Sequence, residues 1–258
     1  MDWLQVILLA ILQGVLEFLP ISSSGHLILF PAMLGWDDQG ALFDIATHFG
    51  SLVAMVIYFR KEVISLLQLN AHRNVMRLRI NLIIATVPII LVGFFFGDLI
   101  LILNRSPVIV AFATIFFGVL LWLSDRFGKK ISNIEGLNYR SSIIIGISQC
   151  LALIPGTSRS GISITAGRLL GLDKESAVRF SFLLALPTLL ASFTWQVINY
   201  SAEAQSIGPD QLVVAILLSA IASYLTIKLF LQFIRQIDFS WFMLYRIGLG
   251  LITLNLFI

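Results

Sequence analysis

The stretch QGVLEFLPISSSGHL, from Gln13 to Leu27, interrupts an apolar segment with a glutamate, a proline, three consecutive serines, a glycine and a histidine. Proline and glycine break a regular helix, and the serines add hydroxyl groups at the same point. A broken backbone at membrane depth is tolerated only where it is buried in protein or lines a watery cavity. The stretch therefore predicts two short helices with a polar site between them.

A second apolar region later in the chain is broken in the same way by PGTSRSG, Pro155–Gly161. The two regions share their spacing, because Gln13 and Gly25 are 12 positions apart, as are Gln149 and Gly161, while Gly25 and Gly35 are 10 apart, as are Gly161 and Gly171. Serines fall between the first two of these positions in both copies. The shared spacing predicts an internal repeat.

The composition places the chain in a membrane. Of its 258 residues, 58% are hydrophobic and 12% are charged, and the mean hydropathy is +0.95, whereas soluble domains carry roughly 25% charged residues. The net charge of +3 does not indicate nucleic-acid binding, because the basic residues are sorted by membrane side. The single cysteine, Cys150, excludes an intramolecular disulfide and a cysteine-rich metal site. We expect one polytopic membrane domain over residues 1–258 and no nucleic-acid partner.

Hydropathy and helix-breaking positions predict an all-α integral membrane protein with six full transmembrane helices. These cover residues 41–59, 80–103, 107–124, 176–200, 211–234 and 241–258. The two broken regions, residues 1–35 and 141–171, are additional to these six.

The basic residues predict the orientation, since cytoplasmic loops carry an excess of lysine and arginine. The basic residues of loops 60–79 and 125–140 are predicted to be cytoplasmic: Arg60, Lys61, Arg73, Arg77, Arg79, Arg126, Lys129, Lys130 and Arg140. The same is predicted for five basic residues near other span ends: Lys174, Arg179, Lys228, Arg235 and Arg246. The opposite connections contain only Arg105 and are predicted to be external. Six spans fit these assignments only if residues 1–35 enter the membrane from the external side and return to it, and residues 141–171 enter from the cytoplasmic side and return to it.

Both broken regions are therefore predicted to be re-entrant helix pairs of opposite orientation. The repeat halves cover about residues 1–124 and 141–258, with the cytoplasmic loop 125–140 between them. An inverted-topology repeat of this kind brings its two breaks together near the membrane midplane around one site.

Three ionisable side chains, Glu17, His26 and Arg159, lie at or beside the breaks. Ionisable residues inside a bilayer are costly and indicate a functional site. If the breaks meet, these groups share a cavity with the nearby hydroxyls of Ser22, Ser23, Ser24, Ser158 and Ser160. Hydroxyls, a fixed cation and the N–H groups of helix starts are what a phosphate requires.

Phosphoryl transfer needs charge neutralisation, a nucleophile and a proton acceptor. Arg159 supplies the charge. Ser23 is a candidate nucleophile, with Glu17 or His26 taking its proton, and direct attack by His26 is the alternative. Purely structural explanations also apply, because Glu17 could simply pair with Arg159 and His26 could be a satisfied interior histidine.

Gln13 and Glu17 are four residues apart and share a helix face, a spacing that suits a hard cation such as Mg²⁺ bound through oxygen ligands and waters. A plain hydrogen bond between helices is the alternative for Gln13. Serines commonly cap the helix that follows them, and we expect this of the serines other than Ser23 and Ser158.

Asp44 and His48 are also four residues apart, on the predicted external half of the third helix. We expect them to shape the mouth of the cavity or to be ordinary interface polarity.

With these residues in view, the chain resembles the undecaprenyl-diphosphate phosphatase family, also called the bacitracin-resistance protein family. Two motifs carry the resemblance. An (E/Q)-x-x-x-E run followed by P-x-S-S-x-G-H occurs at Gln13–Glu17 and Pro20–His26, and P-G-x-S-R-S-G at Pro155–Gly161. The resemblance extends over essentially the whole chain. Many members have glutamate where this chain has Gln13, which weakens any mechanism with two carboxylates on a metal.

The resemblance implies removal of one phosphate from undecaprenyl diphosphate on the outer face of the bacterial plasma membrane. This reaction recycles the lipid carrier of cell-wall synthesis and underlies bacitracin resistance. The resemblance also implies two re-entrant helix pairs, a divalent cation (Mg²⁺, or Ca²⁺ as the alternative) and membrane lipids as neighbours, and it is compatible with a homodimer. Its functional positions fall on Glu17, Ser22, Ser23, His26, Ser158 and Arg159.

A polyprenyl-phosphate flippase is the rival hypothesis, because inverted repeats with broken helices are a transporter architecture. A flippase needs the anion site but no nucleophile. The Glu-Ser-His grouping favours hydrolysis.

Overall fold

The computed structural model describes residues 1–68, 70–103, 106–128, 132–199 and 207–257. Arg105, Lys129, Lys130 and most of the predicted external connection before the fifth span lie outside these residues.

The described residues form an all-helical structure without a β-strand, apart from one isolated bridge between Ser132 and Leu172. The α-helices are α1 (Trp3–Leu16), α2 (Ser23–Leu34), α3 (Ala41–Tyr58), α4 (Arg60–Leu67), α5 (Arg73–Leu103), α6 (Pro107–Phe127), α7 (Tyr139–Gln149), α8 (Arg159–Leu169), α9 (Lys174–Ile198), α10 (Pro209–Phe233) and α11 (Ser240–Phe257). Short 3₁₀ turns occur at Ile134–Gly136 and Cys150–Leu153.

Six of these helices, α3, α5, α6, α9, α10 and α11, are long and apolar enough to cross a membrane, which confirms the six predicted spans. Both bounds of the second predicted span were wrong, because the apolar span covers Arg73–Phe96 and ends at a kink at Phe96. The predicted loop 60–79 is largely helical, because α4 occupies Arg60–Leu67 and α5 begins at Arg73. Arginine is a good helix former, so α5 continues beyond its apolar part, where hydropathy no longer detects it.

Each predicted break separates two short helices. The helices α1, α2, α7 and α8 contain 14, 12, 11 and 11 residues, whereas a membrane crossing takes about 20. The break between α1 and α2 covers residues 17–22, and the break between α7 and α8 covers residues 150–158. None of the four helices is long enough to span a bilayer alone.

The two breaks end in the same backbone conformation. Ser22 has φ 70° and Ser158 has φ 73°, and these are the non-glycine residues with positive φ in the described part of the chain. Each serine is an N-cap whose hydroxyl accepts a hydrogen bond from a glycine N–H, Gly25 for Ser22 and Gly161 for Ser158. Capping was expected of Ser22 but not of Ser158, and for Ser158 that expectation was wrong.

Close packing of α1 and α3 against α10 places the first break. A Cβ atom on Gly14 would lie 2.5 Å from the carbonyl oxygen of Ser219, so α1 and α10 approach with backbone against backbone. Serine hydroxyls of α10 form hydrogen bonds with both α1 and α3. Ser223 donates to the carbonyl of Gly14 in α1, and Ser219 donates to the carbonyl of Thr47 in α3. The C-terminal end of α1 and the middle of α3 therefore both pack against α10.

The second break is placed by α8, most of whose residues are buried. At its C-terminal end, Arg168 is fully buried and pairs through Nε with the Oδ1 atom of Asp125 at 3.2 Å. This ion pair fixes α8 to the end of α6.

Candidate active site

A carboxylate–guanidinium pair joins the two breaks. The Oε1 atom of Glu17 lies 2.8 Å from Nη2 of Arg159, although the residues are 142 positions apart. Glu17 is the C-cap that directly follows α1, and Arg159 is the first residue of α8. The breaks therefore meet in one site, as their spacing and chemistry led us to expect.

The second carboxylate oxygen of Glu17 accepts a hydrogen bond from the hydroxyl of Ser23. Ser23 Oγ donates to Glu17 Oε2 at 2.8 Å, and Gln13 Nε2 donates to the same oxygen at 2.9 Å. Glu17 and Gln13 are buried, while Ser23 is half-buried at the start of α2. A hydroxyl that already donates to a carboxylate is arranged to lose its proton to it.

His26 is engaged at both ring nitrogens. Its Nδ1 lies 2.7 Å from the carbonyl oxygen of Ser22, and its Nε2 lies 2.6 Å from the hydroxyl of Tyr245. A carbonyl oxygen only accepts, so Nδ1 carries the proton and Nε2 accepts from the tyrosine. The geometry matches the hypothesis of a satisfied interior histidine, and Tyr245 is a partner that sequence reasoning missed.

The other serines predicted to bind phosphate differ in their surroundings. Ser160 donates to the carbonyl of Leu19 at 2.9 Å and lies 3.1 Å from the hydroxyl of Ser158. Ser24 is exposed, and its hydroxyl lies 3.4 Å from that of Ser22. Ser22 and Ser158 thus stabilise helix starts, Ser160 ties the breaks together, and Ser24 faces outward.

Arg246 binds the backbone of both breaks through its guanidinium. It is fully buried, and its guanidinium donates to the carbonyl oxygens of Pro20, Gly156 and Thr157 at 3.1, 2.8 and 3.0 Å, and to that of Thr114 at 2.9 Å. Arg246 was grouped with the basic residues near span ends, whereas in the structure it is buried within α11. A buried arginine satisfied by four carbonyls replaces the helical hydrogen bonds that the broken segments lack.

His48 also reaches the site. Its Nε2 lies 3.7 Å from Glu17 Oε2, and its Nδ1 lies 2.7 Å from the carbonyl of Asp44, one turn earlier on α3. Asp44 accepts a hydrogen bond from Gln39 at 3.0 Å. The sequence signal was the pair of polar residues four apart in an apolar helix, but it did not show that His48 faces Glu17.

The donor set can be compared with the needs of a divalent cation. The Oε1 atom of Gln13 is buried and has no hydrogen-bond partner, and it belongs to a side chain that contacts Glu17. In the described part of the chain no three His, Cys, Asp or Glu residues cluster to hold a metal. One carboxylate and one amide oxygen fit a hard cation whose other ligands are waters and substrate oxygens.

Comparisons with known proteins show the family to which the chain belongs. The chain matches the family described as Bacitracin resistance protein BacA over residues 6–252. It is 42% identical to Undecaprenyl-diphosphatase 1 of Pseudoalteromonas translucida over 262 residues, which covers 98% of both chains. It is also 42% identical to Undecaprenyl-diphosphatase 2 of Stutzerimonas stutzeri over 267 residues, covering 100% of this chain and 99% of that one. Because the family match covers nearly the whole chain and includes both breaks, this chain belongs to the bacitracin resistance protein BacA family.

Proposed function

We propose that this chain hydrolyses undecaprenyl diphosphate to undecaprenyl phosphate and inorganic phosphate in the bacterial plasma membrane. The observation that carries the proposal is Glu17, which binds the hydroxyl of Ser23 and the guanidinium of Arg159 at the same time. The names of the relatives and the six apolar helices support the substrate and the membrane location. The product is the lipid carrier of cell-wall synthesis, which fits a family named for bacitracin resistance.

Ser23 is the nucleophile in this proposal. Its Oγ attacks the terminal phosphorus, the bond from that phosphorus to the bridging oxygen breaks, and undecaprenyl phosphate leaves. Glu17 takes the proton of Ser23, to which it is already hydrogen-bonded. His26 is the weaker candidate, because Ser22 and Tyr245 occupy both of its nitrogens. Water then attacks the phosphorylated serine and releases phosphate.

The diphosphate is bound by Arg159 and by the starts of two helices. Arg159 offers a planar set of donors that matches phosphate oxygens, of which Nη2 donates to Glu17 and Nη1 to the carbonyl of Ser181. The helices α2 and α8 begin at Ser23 and Arg159, which both contact Glu17, so two helix N-termini lie at the site. The hydroxyls of Ser24 and Ser160 are further donors, and the cap serines Ser22 and Ser158 keep the helix starts in position.

A divalent cation, Mg²⁺ or Ca²⁺, belongs to the proposal. Glu17 and the unpartnered Oε1 atom of Gln13 would hold it together with substrate oxygens. When bound, the cation would neutralise charge on the diphosphate.

The proposed topology has two re-entrant helix pairs in an inverted repeat, with the site open to the external side. Three findings support it. The four helices that flank the breaks are too short to cross a bilayer, Ser22 and Ser158 have the same unusual φ at equivalent repeat positions, and the breaks are in contact. The tail of the substrate would stay in the bilayer while its head group enters from the side.

The test is phosphate release from undecaprenyl diphosphate by the detergent-purified protein, with Mg²⁺ or with EDTA. We expect release with Mg²⁺ that Ser23→Ala and Arg159→Ala abolish. The matched controls are Ser65→Ala and Arg235→Ala, since Ser65 bonds only to Lys61 on its own helix, Arg235 is exposed, and neither residue takes part in the site. If folded protein releases no phosphate under any cation, hydrolysis is refuted. Ser23 would then not be a nucleophile. Translocation of a polyprenyl phosphate would become the leading hypothesis, to be measured in liposomes.

A further inference from the structure

The residue before the proposed nucleophile has a strained backbone. Ser22 has φ 70° and ψ 93°, a conformation that residues with a Cβ atom rarely adopt and that persists only where surrounding contacts hold it. Ser23 follows directly, and its hydroxyl lies 2.8 Å from Glu17 Oε2. A change in the conformation of Ser22 would therefore turn the backbone that carries Ser23 and move its hydroxyl relative to Glu17.

The second break has the same conformation but shorter hydrogen bonds. The hydroxyl of Ser158 accepts from the N–H of Gly161 at 3.1 Å, and its carbonyl accepts from the N–H of Ile162 at 2.9 Å. At Ser22 the hydroxyl lies 3.4 Å from the nitrogen of Gly25, and the carbonyl lies 3.4 Å from the backbone nitrogen four residues later. The first turn of its own helix thus holds Ser22 less closely than Ser158.

The ring of His26 supplies an additional contact to Ser22. Its Nδ1 lies 2.7 Å from the carbonyl oxygen of Ser22, closer than the backbone nitrogen of the same histidine. The residue at the same distance from Ser158 is Ile162, whose side chain has no donor. Because a carbonyl oxygen only accepts, the contact is a hydrogen bond only while Nδ1 carries a proton.

Tyr245 determines which ring nitrogen carries that proton. Its hydroxyl lies 2.6 Å from Nε2 of His26. A hydroxyl that donates to Nε2 stabilises the tautomer with the proton on Nδ1, since the partner of one ring nitrogen sets the state of the other. Arg246, the next residue, is fully buried and bonds to both breaks, which fixes this part of α11 beside the first break.

We propose that Tyr245 is a positioning residue for Ser23 and acts through the ring of His26. The inference rests on the proposed hydrolysis with Ser23 as its nucleophile. Tyr245 keeps the proton of the ring on Nδ1, and Nδ1 holds the carbonyl of Ser22. The backbone of Ser22 then directs the hydroxyl of Ser23 to Glu17. In this arrangement His26 is a donor to the backbone and takes no part in bond making.

The first experiment removes only the hydroxyl of Tyr245. We expect Tyr245→Phe to lower kcat for phosphate release from undecaprenyl diphosphate about 10-fold, the size expected for one hydrogen bond. KM and the unfolding temperature should change little, because the ring stays in place and Arg159 still binds the substrate. The control is Tyr224→Phe in α10, since Tyr224 is similarly exposed and its hydroxyl forms no hydrogen bond within the described residues.

Substitutions of His26 separate positioning from chemistry. Asparagine has an amide nitrogen close to the place of Nδ1 and donates without depending on a tautomer, whereas the amide of glutamine matches Nε2. We expect His26→Asn to stay within about 10-fold of wild-type kcat and His26→Gln to lose about 10²-fold, as a misplaced reacting group does. In the His26→Asn background, Tyr245→Phe should have no further effect on kcat, because the two residues act in series.

Three results would overturn the inference. They are wild-type kcat in Tyr245→Phe, a folded His26→Asn variant as inactive as His26→Gln, and an equal effect of Tyr245→Phe in the wild-type and His26→Asn backgrounds. The second result would mean that the imidazole itself takes part in the reaction. An inactive wild type or a fully active Ser23→Ala variant would instead refute the proposed hydrolysis through Ser23.

Discussion

At the residue scale, Glu17 combines two tasks that sequence reasoning kept apart. One oxygen balances Arg159, and the other accepts from Ser23 and Gln13. The structural hypothesis of an ion pair and the catalytic hypothesis of a base are therefore not alternatives. The pair with Arg159 fixes the position of the carboxylate, and the other oxygen of the same carboxylate accepts the hydrogen bond of Ser23.

Replacing Arg159 by lysine tests the importance of its planar donor set. Lysine keeps the positive charge beside Glu17 but lacks the fork that matches phosphate oxygens. We expect Arg159→Lys to fold with near-wild-type thermal stability and to lose about 10- to 100-fold in kcat/KM, or about 1.4–2.7 kcal/mol. Arg159→Ala should be less stable as well, because it leaves the buried carboxylate unpaired. Full activity of the lysine variant would show that charge alone is sufficient.

At the element scale, the two breaks depend on helices that are distant in sequence. Arg246 of α11 donates to Pro20 in the first break and to Gly156 and Thr157 in the second. The close contact of α10 with α1 and α3 sets the distance between Glu17 and His48. The site is therefore built by helix packing as much as by its own loops.

Arg246→Met should lower stability strongly. The change removes four hydrogen bonds and leaves the carbonyls of Pro20 and Thr157, which lie in the breaks, without a side-chain donor in the interior. We expect a loss of about 3–5 kcal/mol and a clear drop in the unfolding temperature in detergent. Arg235→Ala is the control, because this exposed arginine pairs with Glu175 at the surface and should change stability by less than about 1 kcal/mol.

Gly14→Ala should separate α1 from α10. The added Cβ would lie 2.5 Å from the carbonyl oxygen of Ser219, and backbone cannot move aside as a side chain can. We expect about 1–3 kcal/mol of destabilisation by overpacking, with reduced kcat because Glu17 follows α1. The control is Gly248→Ala in α11, where no atom lies within 4 Å of the new Cβ and helix propensity favours alanine. Equal thermal unfolding of both variants would contradict the close contact.

At the scale of the whole molecule, the prediction concerns topology. In a Cys150→Ser background, we expect Asp2→Cys and Asp37→Cys to react with a membrane-impermeant maleimide added outside, since both positions are exposed and flank α1 and α2, the first proposed re-entrant pair. Glu135→Cys, which is exposed in the predicted cytoplasmic loop, should react only after permeabilisation. Labelling of Asp2→Cys and Asp37→Cys from opposite sides would mean that α1 and α2 cross the membrane, and the inverted repeat would be wrong.

Sequence alone determined the features that depend on local composition. Six spans follow from apolar length, and the two breaks follow from proline, glycine and serine at matching spacings. The candidate residues Glu17, Ser23 and Arg159 were identifiable because charge and hydroxyls are rare and costly at membrane depth. The start of α5 was misplaced, since hydropathy marks where a helix is apolar and not where its hydrogen bonds begin.

Only the tertiary structure decided which side chains face one another. Arg246 and Pro20 are 226 positions apart, so no local pattern could assign them to each other, and the same holds for Tyr245 with His26. His48 was visible in sequence as a polar residue on an apolar helix, but its approach to Glu17 depends on how α1 and α3 pack against α10. The physical reason is that hydropathy and helical period are properties of one segment, whereas the direction in which a polar group finds its partner is a property of several segments packed together.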